Sequence, residues 1–440
     1  MKKLLTIVFA LMLAIVACVS CGNDSSNSST NDSTSDTSSV ATSDSTGSGE
    51  KVTVKAGLIA LHDKNSTYDK NFIEAFEAAC KAMNIEYSIK INIPENSTCY
   101  DAAAELVDEG CNYIFADSFG HESHLLRAAK EFPDVQFSHA TGTTAHTENV
   151  ANFHNAFASI YEGRYVAGVA AGLKLKDMME KDSSVKPVIG YVGAFTYAEV
   201  ISGYTSWYLG VKSIVPDVTM KVQFTGSWYD EIAEKTAAET LIKQGCVLIS
   251  QHADSLGAPN ACEVAEVPNV SYNGSTEASC PNTFIISSRI NWQPYYEYCI
   301  DAIANGKTIA TDWCGELGDT RNTGSVCYTE LGQIAPVAGT DEKLAEVVAK
   351  IKDGSLKVFD VSTFTVTKTE SKNVNAIVDA NGHLTGYMAD VNTDPNYTAD
   401  TEAIKIENGV TYFAESLHRS APYFDVQIDG IELLNVKFGD

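Results

Sequence analysis

Val52-Thr53-Val54-Lys55-Ala56-Gly57-Leu58-Ile59-Ala60-Leu61 is a nearly unbroken β-branched and aliphatic run, and beyond it Phe72, Ala75, Phe76, Ala79, Cys80 and Met83 recur at helical spacing. A short continuous apolar run predicts a strand buried on both faces. A stripe with a 3.6-residue period predicts a helix that lays one side on a core. A buried strand followed by an amphipathic helix is the unit of a parallel sheet with helices on its faces.

The rhythm continues outward from that unit. Strands are expected at 87–93, 113–116, 135–140 and 150–153, with helices at 102–107 and 121–131 between them. A second set follows: helices at 157–175, 198–215, 232–243, 256–265 and 294–304, and strands at 188–192, 219–224, 247–250, 270–272 and 284–288. Two successive sets predict two α/β lobes, each a parallel sheet flanked by helices. The first lobe is expected over residues 51–153, with about 288–308 returning to it, and the second over 154–287. Hinges are expected near 152–155 and 287–291, with closure around a ligand. From residue 309 to 440 an α+β extension, with a helix at 344–351 and strand-like pieces at 358–366, is expected to complete the second lobe. Asn381-Gly382 and Asn408-Gly409 in it are hairpin-turn signals.

The N-terminal region has a different character. Lys2 and Lys3 precede an apolar run over 4–17 that is shorter than the roughly 20 residues a membrane span needs. It reads as a secretory signal. The run stops at Ile15-Val16-Ala17-Cys18, which resembles a bacterial lipobox whose cysteine is acylated; Cys21 in Val19-Ser20-Cys21-Gly22 is the rival position. Residues 1–21 are therefore expected to be a lipoprotein signal and lipobox, with lipidation on Cys18. Residues 22–50 are almost all Ser, Thr, Asp, Asn and Gly, and are expected to act as a tether on the extracytoplasmic face of the membrane.

Bulk chemistry excludes some partners. The chain has 440 residues, 44% of them hydrophobic, and a formal net charge of −26. Such a balance supports a real core but repels nucleic acid, which needs Lys and Arg against its phosphates. Nine cysteines lie beyond the leader at wide spacing, with no C-x-x-C pair, so no metal site and no cofactor are implied. Cys262 with Cys280 and Cys314 with Cys327 are the pairs nearest in sequence, and buried free thiols are the equal alternative. There is no G-x-S-x-G elbow, P-loop or H-E-x-x-H stretch, and no catalytic residues are assigned. His121 and His124 share a helix face, a spacing metal ligands sometimes use, but a solvated or capping role is the simpler reading.

In parallel sheets, ligands sit beyond the carboxyl ends of the strands. Those ends hold Thr67 and Tyr68, Phe119, Phe195, Trp228, Asp254, and Asn291 with Trp292. Aromatics beside a few carboxylates and amides suit a flat ligand with polar edges. Each has a plainer role available: an aromatic can plug a core, and Asp254, like Asp230, can cap the helix that follows it. Lys64, Lys70 and Arg289 are dispersed in the sequence, so no cation cluster for a phosphate is apparent.

Gly190-Tyr191-Val192-Gly193-Ala194-Phe195, Thr225-Gly226-Ser227-Trp228-Tyr229-Asp230 and Gln251-His252-Ala253-Asp254-Ser255 resemble the basic membrane protein (BMP) family, which includes purine nucleoside receptor lipoproteins of ABC transporters. The helix beginning Tyr161-Glu162-Gly163-Arg164 and the segment Ser420-Ala421-Pro422-Tyr423-Phe424-Asp425 are similar to further parts of it, so the resemblance runs from about residue 52 onward. It implies a two-lobed type I periplasmic-binding-protein-like fold, a purine nucleoside or base as ligand, and an ABC importer permease as partner. It also implies a stacking role for Phe195, a ligand-binding carboxylate at Asp254, and cleft positions for Trp228 and Trp292. Where many members carry Asp-Lys-Ser-Phe-Asn after the first strand, this chain reads Asn65-Ser66-Thr67-Tyr68-Asp69-Lys70-Asn71. Two other classes remain open: a binder of a sugar or other polar metabolite on the same fold, and a surface adhesin.

Overall fold

The computed structural model of the protein describes residues 52–391 and 399–436. Cys18, Cys21 and the expected signal and tether lie outside the described residues.

The first lobe is built on β1 (Lys55–Ile59), β2 (Glu86–Lys90), β3 (Tyr113–Ala116), β4 (Gln136–Ala140) and β5 (Phe153–Ala158). The second begins with β6 (Val188–Gly193), β7 (Thr219–Phe224), β8 (Ile249–His252), β9 (Asn269–Tyr272) and β10 (Phe284–Ile290). Two later strands are divided between them: β11 (Asp312–Gly315) pairs in parallel with β5, and β12 (Val326–Tyr328) pairs antiparallel with β10. The first sheet has the order β11-β5-β4-β3-β1-β2 and is parallel throughout. The extension expected to complete the second lobe thus also supplies an edge strand to the first.

Helices follow the strands. They are α1 (Thr67–Met83), α2 (Thr98–Asp108), α3 (Glu122–Glu131), α4 (Ala145–Glu148), α5 (Ile160–Lys181), α6 (Ala198–Lys212), α7 (Glu231–Lys243), α8 (Gly257–Val264), α9 (Gln293–Ala304) and α10 (Thr340–Lys352). Helix α1 shows why the sequence was readable. The Ser66 side chain accepts from the Asp69 N–H at its start, Phe72, Ile73, Phe76, Ala79 and Cys80 are buried, and Asn84 ends it in the left-handed region. Helix α9 returns to the first lobe and packs on α1. In the second lobe α5 and α6 touch backbone to backbone. A Cβ on Gly168 would stand 2.2 Å from the Trp207 carbonyl oxygen, which is why this stretch is rich in Gly and Ala.

The rest of the extension adds β13 (Ala376–Val378), β14 (Leu384–Ala389) and β15 (Thr401–Glu402) as one small sheet, and β16 (Ile404–Glu407) with β17 (Val410–Phe413) as a hairpin. Gly382 and Gly409, at φ +86° and +82°, stand in the turns expected from Asn-Gly. Residues 358–366 form a short 3-10 turn over Val361–Thr363 instead of a strand. Finally β18 (Ile431–Leu433) runs parallel to β7 with Ile431 opposite Met220, giving the second sheet the order β12-β10-β9-β8-β6-β7-β18.

The first crossing lies beyond the expected hinge at 152–155, while the second falls at the end of the expected 287–291. Residues 153–158 are a strand of the first sheet, and the chain crosses after it, at Ser159. The polar run Asn152, His154, Asn155 imitated a linker, yet the Asn152 amide donates to the carbonyls of Ala129, Phe132 and Val135 inside the lobe. A second crossing lies between β10 and α9, and a third between β11 and β12. All nine cysteines of the described residues are unpaired, and eight are buried. Burial pushes the Cys80 and Cys246 thiols up to about 12, so they behave as small apolar side chains.

Candidate functional site

The carboxyl ends of the two sheets face each other, and the lobes touch there. The Thr67 N–H and hydroxyl both donate to the Asp254 carbonyl, at 2.9 and 3.3 Å. The His62 and Tyr229 rings meet at 5.3 Å, and Phe119 and Tyr197 at 5.2 Å. A small cavity of about 20 Å3 lies between the lobes. That is room for about one water, well below the roughly 300–1,000 Å3 of occupied small-molecule sites, so a ligand needs the lobes to part.

The first lobe gives it Leu61, Tyr68, Ser118, Phe119 and Thr141; the second gives Glu199, Trp228, His252 and Asp254. No Lys or Arg is among these residues. Tyr68 stands on the first turn of α1, its hydroxyl donating to the Asp117 carbonyl at 2.8 Å. Phe119 follows β3 and is 40% exposed, so it presents a free face. Trp228 is held by the turn after β7, where its carbonyl accepts from the Asp254 N–H at 3.0 Å.

Asp254 is 5% exposed, and its carboxylate has no hydrogen-bond partner among the described residues. Burial, then the charges of Asp69, Glu234 and Glu199, holds its pKa well above the usual carboxylate range. It does not cap α8: the Ser255 hydroxyl accepts from the Gly257 N–H instead. Asp230 does cap α7, accepting from the N–H groups of Ile232 and Ala233. Asp254 therefore has a desolvated carboxylate with no structural task, which can pair with donors of a ligand.

Glu199 and His252 form the polar floor, with His252 Nε2 3.2 Å from Glu199 Oε1. Behind them lies Arg164, fully buried, with its guanidinium 3.5 Å above the Tyr272 ring and Nη1 donating to the Gln251 carbonyl. It supplies positive charge beneath a floor of carboxylates without entering the cavity. Burial, then the Arg164 charge, holds the His252 imidazole below its ordinary pKa. Below the first lobe's wall Asp117 is buried; its Oδ1 accepts from the Leu61 N–H and Oδ2 has no partner.

Of the eight residues expected from the sequence, Tyr68, Phe119, Trp228 and Asp254 line this cavity. Thr67 is the cross-lobe contact beside it. Phe195 stands behind Trp228, edge-on at 5.0 Å, and stacks on Tyr197. Trp292 is 1% exposed and stacks on Phe72 at 4.5 Å, so it belongs to the first lobe's core, where the return of α9 carries it. Asn291 ties two crossings together, its N–H donating to the Ser325 carbonyl. Both corrections have one cause: the chain changes lobes at residue 291, and the strand-end rule no longer applies past it. Glu199, His252, Ser118 and Thr141 were missed as contacts, although His252 and Ser118 stand in the strand-end segments. Glu199 stands in the first turn of α6, six residues past the end of β6, where the one acid of that helix was the available signal. His121 is buried with Nε2 2.8 Å from the Ile93 carbonyl.

A family model described as ABC transporter substrate-binding protein PnrA-like, Bmp, matches residues 56–315. A purine-binding protein of Brucella abortus (strain 2308) is 31% identical over 280 residues, 62% of this chain and 73% of that protein. A putative ABC transporter glucose-binding protein of Haloferax volcanii is 27% identical over 283 residues, 63% of this chain and 68% of that protein. Among solved structures, an ABC transporter solute-binding protein from Conexibacter woesei aligns with a TM-score of 0.56 at 21% identity, covering 69% of this chain and 98% of that one.

Proposed function

The chain belongs to the Bmp family of PnrA-like ABC transporter substrate-binding proteins, an extracytoplasmic family, with the type I periplasmic-binding fold, and from that premise we propose that its ligand is a purine nucleoside or purine base. The observation that carries this reading is the Asp254 carboxylate, buried and unshared, in a cavity walled by Trp228, Phe119 and Tyr68. A purine is flat, uncharged and edged with donors and acceptors. Aromatic faces hold such a ring by about 1–3 kcal/mol each in nucleic-acid complexes, and a carboxylate acceptor reads its N–H or the sugar's O–H groups. The cavity lining carries carboxylates and no cation, so a phosphate placed in it would be repelled. The relative named for purine binding supports the reading.

Titration calorimetry with guanosine, inosine, adenosine and their bases tests it, alongside native mass spectrometry of the protein as purified. Binding of glucose with no binding of any purine would overturn it. That outcome would favour the second reading, a sugar ligand, for which the Haloferax relative speaks.

The bound ligand is delivered to an ABC permease, and the protein is held at the membrane by lipid on Cys18. No helix of the described residues is long and apolar enough to cross a membrane. Cys18→Ala should release the protein from the membrane fraction or leave it unprocessed. A mutant that keeps its membrane fractionation and N-terminal mass argues for Cys21 or for no lipid.

A further inference from the structure

A second, larger cavity, of about 500 Å3, lies between the lobes beside the first. The Thr67–Asp254 contact stands between the two: Tyr68 and Asp254 face the first cavity, Thr67 and Leu256 the second. The chemistry reverses across it. Lys64, Lys70 and Arg289, far apart in sequence, line the second cavity together, against one carboxylate, Glu74. In a chain of formal net charge −26 such a group of cations is a local inversion of sign.

The cations differ in commitment. Lys64 is paired with Glu77 at 2.8 Å, and Lys70 reaches Glu74 only at 3.9 Å. The Arg289 backbone pairs in the β10–β12 ladder, but its guanidinium has no hydrogen bond or ion pair among the described residues. Asn273, 3% exposed, lines the same cavity, and its side-chain Nδ2 is buried without a partner among the described residues. A buried donor left unpaired is costly, and here it lines the same cavity as a free guanidinium.

We propose that this cavity is an oxyanion site for a phosphate group, with the Arg289 guanidinium and the Lys70 ammonium supplying charge and Asn273 a neutral donor. The guanidinium fork suits two oxygens of a phosphate at once. The phosphate can arrive free or as an arm of a ligand whose base sits in the first cavity. The site does not depend on the purine reading, because free phosphate tests it alone.

Inorganic phosphate is titrated into the full-length chain by calorimetry against sodium chloride at matched ionic strength, and guanosine is compared with guanosine monophosphate. Phosphate binding that weakens by about tenfold or more in Arg289→Gln/Lys70→Gln, and is largely restored in Arg289→Lys with Lys70 intact, supports the site. If the monophosphate then binds no better than guanosine, the anion is taken free. If phosphate alone does not bind but the monophosphate outdoes guanosine, and loses that advantage in the double variant, the anion comes as an arm of the ligand. Absence of both effects in the wild type, or effects equal in wild type and double variant, overturns the proposal.

Discussion

The two halves of the aromatic cavity are unlike. The first lobe contributes Leu61, Tyr68, Ser118, Phe119 and Thr141, none of them an acid or an imidazole, while Glu199, His252 and Asp254 all come from the second. The difference follows from where each lobe keeps its acids. Asp69 and Asp117 of the first lobe are turned into their own backbone, accepting from the N–H groups of His62 and Leu61. Asp254 and Glu199 are left facing the cleft. The first lobe thus offers faces and hydroxyls that any flat ligand can meet, and the second offers charge that selects among ligands. Affinity should be shared between the halves, and selectivity should lie in the second.

The largest effect should come from Asp254→Ala, which removes the charged acceptor: about 1.5–3 kcal/mol, or tenfold or more in affinity for a purine nucleoside. Calorimetry with wild-type affinity in this variant would show that the second half does not read the ligand. Next, Trp228→Ala should cost about 1–3 kcal/mol for every purine alike, because stacking is indifferent to the edge. Phe195→Ala, one ring behind Trp228 and outside the cavity lining, should cost less; a larger loss there than at Trp228 would place the stacking ring one residue deeper than the structure does.

Buried titratable groups in both lobes should also make stability answer to pH. Buried imidazoles of the first lobe are pushed down, His121 and His154 to about 4, mainly by burial. Buried carboxyls of the second lobe and extension are pushed up, Glu162 and Glu234 to about 7 and Glu415 to about 8, again mainly by burial. Each of these carboxyls holds a proton in the folded state that the unfolded chain has already lost, so its contribution is present at low pH and disappears as pH rises through the raised pKa. The histidines act the other way, but only below their unfolded value of about 6.5. Between pH of about 6.5 and 8.5 the carboxyls act alone, and the melting temperature should fall by a few degrees. A flat or rising profile over that window would mean that these acids ionise with ordinary pKa values. The smallest effect belongs to Thr67→Val, which removes the longer of the two bonds to the Asp254 carbonyl and leaves the backbone bond in place. A change of about threefold or less in purine affinity is expected for one neutral hydrogen bond.

The sheets were legible because a strand buried on both faces writes itself as an apolar run, as in β1, and its helix as a stripe, as in α1. The cavity lining was legible where a residue follows such a strand, as Phe119, Trp228 and Asp254 do. It failed where the chain leaves its lobe. Asn291 and Trp292 follow β10 in sequence, yet in space they have turned toward the first lobe. Nor could spacing reveal that Lys64, Lys70 and Arg289 meet, since only the approach of the two lobes brings them to one cavity. Short strands such as β11 and β18 carry too few residues to show a period, and their places are set by the edges they cover.

Strand β18 has a protective consequence. Thr219–Phe224 would otherwise be the outermost strand of the second sheet, with Met220, Val222 and Phe224 buried on one side of it. The backbone from Gly430 to Asn435 fills that edge: Met220 N–H donates to Gly430, Leu434 N–H to Val222, and the Asn435 amide bonds both ways with Phe224. An uncovered edge of this length is a template on which another chain can add a strand. A version of the protein cut before residue 430 would keep its cavities and most of its core, yet it would offer its neighbours a ready place to aggregate.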